Sequence, residues 1–125
     1  MIDIAALTLN ALQAAGVNAY AELPENSTRP VLRIQEIGVD GPSSHMPDWL
    51  HEFDLQVDSW GESKGDAHGL LEAAASVLRG HPSNQHGQIT RFQVVSLDYQ
   101  PDEDWPANGR PGPRYLSILR LFAHP

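Results

Sequence analysis

From residue 50 to residue 60 the chain alternates almost without exception, with Phe53, Leu55 and Val57 on one side and Glu52, Asp54, Gln56 and Asp58 on the other. A period of two is that of a strand with one buried and one wet face. Residues 31–39 read the same way, with Leu32 and Ile34 opposing Arg33 and Gln35. Elsewhere the period lengthens. Over residues 3–15, Ile4, Leu7, Ala11, Leu12 and Ala15 recur at helical spacing, and Gly16 supplies the permissive backbone that stops a helix. Ala67, Leu70, Leu71, Ala74, Val77 and Leu78 form a second helical stripe. It begins at Ser63-Lys64-Gly65-Asp66, where the Ser hydroxyl can accept the amide three residues on, and it ends at Gly80 with Pro82 just beyond.

Three weaker segments complete the pattern. Residues 17–21 form a brief β-prone stretch, and residues 114–122 a closing strand. Residues 89–99 read as a strand whose apolar set shifts phase at Val94-Val95, as an inserted bulge residue causes. Residues 23–30 are rich in turn formers, and two long polar loops are expected, over residues 40–48 and 100–113. The predicted order is αβββαββ. Consecutive strands joined by connections too short for crossover helices predict an α+β fold, a mainly antiparallel sheet with both helices packed on one face.

Composition narrows the picture further. The chain has 125 residues and no cysteine, which predicts one domain over residues 1–125 and excludes disulfides and thiolate metal sites. No apolar run approaches the roughly 20 residues that cross a bilayer, and the N-terminal stretch carries Asp3 and no basic region of a secretory signal. The expectation is a protein made and kept in a cytoplasm, with no membrane partner. A formal net charge of −8, one lysine (Lys64) and scattered arginines disfavour a grip on nucleic acid, which needs clustered Lys and Arg to displace counterions.

Candidate chemistry is sparse. His51, Glu52 and Asp54 lie close together, but in a strand His51 and Glu52 point to opposite faces, and Asp66 and His68 lack the three- or four-residue spacing of helical ligation. No metal site is predicted. The serines lack a nucleophile-elbow frame, and the glycines form no phosphate-cradling motif, so neither catalytic residues nor a cofactor is assigned. The rival reading from another class is a small cytoplasmic metal-dependent hydrolase assembled from distant acidic and histidine side chains. More informative are Trp49, after the first long polar loop, and Trp105, within the second and directly after Asp102-Glu103-Asp104. Tryptophan is enriched at interface hot spots.

Read end to end, the chain resembles the tail terminator (tail completion) proteins of long-tailed bacteriophages. The resemblance rests on an N-terminal helix leading to Pro24 and Arg29-Pro30 before Val31-Leu32-Arg33-Ile34, then a polar loop and the strand from Phe53 to Trp60. The helix opening Asp66-Ala67-His68-Gly69-Leu70-Leu71 follows, and Pro101-Asp102 and Pro113-Arg114-Tyr115-Leu116 look like the family's late loop and closing strand. Where that family often has a glycine pair after the second strand, this chain has Gly38-Val39-Asp40-Gly41.

The resemblance implies a structural, non-enzymatic virion protein. It would form a homo-hexameric ring at the head-proximal end of the tail, stop growth of the tail tube, and offer a surface to a head-side connector protein. A second expectation from the same assembly is a head-to-tail connector or stopper subunit. Geometry permits the ring: a domain of this length has a radius of about 18 Å, and six such spheres in contact enclose a hole of about 36 Å, wide enough for duplex DNA to pass. An acidic lumen would let DNA slide without sticking. Asp102, Glu103 and Asp104, or alternatively Glu22 and Glu25, are the expected channel-lining residues. Trp49 and Trp105 are the expected apolar anchors between copies, with Arg114 as partner for a neighbour's carboxylate.

Overall fold

The computed structural model describes residues 2–39 and 50–125. Helix α1 (Ile4–Ala14) opens at Asp3, whose carboxylate accepts the Ala6 amide at 3.0 Å, and Gly16 just past its end has φ +83. Strand β1 (Ala19–Tyr20) pairs parallel with the start of β2 (Val31–Val39), and β2 pairs antiparallel with β3 (His51–Trp60). Helix α2 (Lys64–Arg79) follows, and Ser63 Oγ accepts the Asp66 amide at 3.1 Å, as the capping pattern predicts. At its other end Gly80 keeps a negative φ, and His81 takes the left-handed conformation at φ 54.

A short β4 (Ser83–Asn84) leads into the long β5 (Gly87–Tyr99). A hairpin of β6 (Asp102–Ala107) and β7 (Arg110–Gly112) precedes β8 (Arg114–His124). The main sheet has six strands in the order β1-β2-β3-β8-β5-β4, and β6-β7 form a second, two-stranded sheet. Apart from β1 with β2, the pairs are antiparallel.

The expected α+β class and the antiparallel character hold, with extra strands. One expectation is corrected: residues 100–113 are a hairpin rather than a long loop. Asn108 and Gly109, at φ 54 and 74, make the two-residue turn with positive φ that suits the twist of a hairpin. The shift expected at Val94-Val95 is present as a register change between Val94 and Ser96, and β5 carries another between Ile89 and Arg91.

The core lies between the helices and one face of the sheet. Leu7 and Leu12 of α1 and Leu71, Ala74 and Leu78 of α2 join Leu32, Ile34, Phe53, Leu55, Val57, Leu119 and Leu121 in one apolar cluster. The odd-numbered residues of β3 thus meet the helices, and Ser59 Oγ donates to the Ala67 carbonyl at 2.7 Å on that same side. The even-numbered residues occupy the opposite face. No helix among the described residues is long and apolar enough to cross a membrane.

Candidate functional site

The face of the sheet turned away from the helices is polar because of the alternation in β3, and its charges are largely paired. Arg120 of β8 lies opposite Asp54 and next to Glu52, with Nε 3.0 Å from Asp54 Oδ1 and 3.2 Å from Glu52 Oε1. Asp58, buried at 1% exposure, receives Arg33 Nη2 at 2.5 Å and Gln56 Nε2 at 3.0 Å. A buried carboxylate needs such partners.

At one end of this face the β6-β7 hairpin folds back on the sheet. Trp60 Nε1 donates to Asp102 Oδ2 at 2.8 Å, and the rings of Trp60 and Trp105 lie 5.6 Å apart. Arg29, from the turn-rich segment before β2, donates to the carbonyls of Trp105 and Pro106 and stacks its guanidinium 4.0 Å from the Trp105 ring centroid. A methyl group on Gly112 would lie 2.1 Å from the Trp105 carbonyl oxygen, so the two hairpin strands approach to a distance only glycine permits.

These contacts place the sequence-derived candidates. Asp102 holds the Trp60 indole, accepts the Asp104 amide at 3.0 Å, and lies 3.8 Å from Arg114 Nη1. Arg114 also donates through Nε to the Gln100 carbonyl at 2.9 Å. Both therefore have partners within their own chain. Trp105 is half-buried against Trp60 and Arg29, so a tryptophan in this polar stretch does find an intramolecular platform. Trp49 lies outside the described residues. Glu103 and Asp104 are exposed, as are Glu22 and Glu25. Glu25 and Trp105 line one shallow depression, which brings the two alternative acidic groups to the same end of the molecule. Sequence reasoning missed the Arg29–Trp105–Trp60–Asp102 chain, although Asn108-Gly109 was a legible hairpin signal.

A cleft of about 430 Å³ lies between α2 and β5 and includes His68, Glu72, Arg79, Leu97 and Ser117. Its histidine pairs one helical turn along, His68 Nδ1 to Glu72 Oε1 at 3.6 Å, and Ser117 Oγ donates to the Ser96 carbonyl at 2.8 Å. Among the described residues the hydroxyl has no imidazole or carboxylate partner to activate it. Among the described residues no three His, Asp or Glu side chains gather to hold a metal ion.

No protein-family model matches the chain, and no curated protein matches its sequence. Its fold is nevertheless found among solved structures. A chain from the virion of a native gene transfer agent particle superposes with a TM-score of 0.64 at 14% sequence identity, covering 96% of this chain and 93% of that one.

Proposed function

We propose that the protein is a structural subunit of a phage-like particle, and that within it the chain acts as a tail terminator. Six copies form a ring on the finished tail tube, block further addition of tube subunits, and present the opposite surface to a head-side connector. The observation that carries this reading is the fold shared with a virion chain over nearly the full length of both. The end-to-end sequence pattern favours the terminator among the parts of such a particle.

The charge distribution suits that role. The formal charge of −8 is not gathered in a binding site, and the carboxylates of the open face are neutralised by Arg33 and Arg120. The exposed acids Glu22, Glu25, Glu103 and Asp104 then form an acidic rim at the hairpin end, which repels phosphate and leaves DNA free to pass.

Negative-stain imaging of the purified chain mixed with the tube protein of the same particle tests the proposal. Rings at tube ends, and tubes that stop lengthening when the chain is added, are the expected result. Uncapped tubes that grow at an unchanged rate would overturn it.

A further inference from the structure

All five large apolar side chains that stand exposed among the described residues lie on the two outermost long strands. Ile37 on β2 is 49% exposed, and Val94, Val95, Leu97 and Tyr99 on β5 are 36–46% exposed. Among the described residues, another strand covers each of these two strands on its outer side only at one end. β1 reaches Leu32 and Arg33, and β4 reaches Gly87 and Gln88. The rest of each outer edge meets no other strand among the described residues.

The uncovered stretches match in height. Across the ladders, Ile34 is level with Val57, Ser117 and Leu97, while Val39 is level with Phe53, Leu121 and Phe92. Residues 34–39 of β2 and 92–97 of β5 therefore occupy the same rows on opposite edges. They also match in direction, because β2, β3, β8 and β5 alternate and the two outer strands run opposite ways. Both edges carry a register shift within these rows, at Ile37 and at Val95, and those two side chains are among the exposed apolar ones.

We infer that the β5 edge of one copy receives the β2 edge of a second copy of this chain, so that neighbouring sheets join head to tail. A rotation about an axis along the strands preserves height and direction, and so sets β5 against the next β2 as an antiparallel pair. The same rotation places Val94 and Val95 beside Ile37. Edge amides and carbonyls that meet no other strand among the described residues then gain partners, and Ile37, Val94 and Val95 lose exposure to water together. The contact joins two different patches, which is what a closed ring requires. In a lone copy the bulges blunt both edges against indiscriminate pairing. The inference rests on the ring reading proposed above and identifies its interface.

The chain has no cysteine, so engineered pairs report cleanly. Ile37→Cys and Val95→Cys are made singly and together, and oxidised with and without the tube protein while ring formation is followed by light scattering and imaging. The expected result is a covalent dimer when the two single variants are mixed, none from either alone, and a ladder of multimers from the double variant. A dimer from Val95→Cys alone would show β5 pairing with itself about a twofold axis and overturn the inference. Rings without cross-links would overturn the interface and leave the terminator reading standing. Absence of rings under both conditions would remove the ring reading, and the interface with it.

Discussion

Replacing Asp102 by Ala separates a fastening role from a channel-lining one. The Asp102 side chain is 13% exposed and takes the indole N–H of Trp60, a residue 3% exposed, at 2.8 Å. A hydrogen bond to a charged acceptor contributes about 1.5–3 kcal/mol, and removing the acceptor leaves a buried donor with no partner. The 3.8 Å contact with Arg114 adds less than about 1 kcal/mol, since both groups keep some access to water. The expected loss is therefore about 2–3 kcal/mol. At about 4 °C per kcal/mol for a domain of this size, Tm falls by about 8–12 °C. Thermal unfolding followed by circular dichroism at fixed protein concentration measures it. Glu103→Gln and Asp104→Asn, which alter exposed side chains of the same cluster, are expected to stay within about 0.5 kcal/mol of the parent. A double-mutant cycle with Trp60→Phe is expected to give a coupling of about 1–2 kcal/mol. If Asp102→Ala melts no lower than Glu103→Gln, or the cycle gives no coupling, Asp102 does not fasten the hairpin and the reasoning fails.

Three further outcomes follow from the packing. Leu55→Ala, at a position with 0% exposure in the middle of β3, is expected to cost about 2–5 kcal/mol in a denaturant titration. Gly112→Ala forces a methyl group against the Trp105 carbonyl, so the hairpin must shift; tryptophan emission is expected to move to the red as Trp105 leaves Trp60, and an unchanged spectrum would contradict the close approach. Ser63→Ala removes the cap of α2 and is expected to cost about 1 kcal/mol, or about 4 °C in Tm.

Periodicity exposed both helices and the long strands because burial on one side imposes its spacing on the residues themselves. The phase shift at Val94-Val95 even disclosed a bulge. The hairpin was less visible, since it buries little of its own and its strands carry Asp102-Glu103-Asp104 and two prolines, Pro106 and Pro111, rather than an alternating pattern. Its fastening depends on Arg29 and Trp60, 76 and 42 residues away from their partners Trp105 and Asp102, and no local window contains such pairs. The acidic residues chosen from the sequence proved to differ in kind: Asp102 is held within the molecule, while Glu103 and Asp104 are exposed. Neither the row-for-row match of the outer edges nor their opposite directions can be read without the strand order, which places β8 between β3 and β5.

That placement bears on how the chain is made. Because Arg114–His124 runs down the middle of the sheet, paired on one side with β3 and on the other with β5, nothing earlier in the chain can substitute for it. A ribosome that stalls before Arg114 leaves two unjoined half-sheets and a bare apolar layer, which proteases and chaperones recognise. Synthesis thus carries its own proofreading: prematurely ended products lack the strand that joins the two halves of the sheet, and fail to fold.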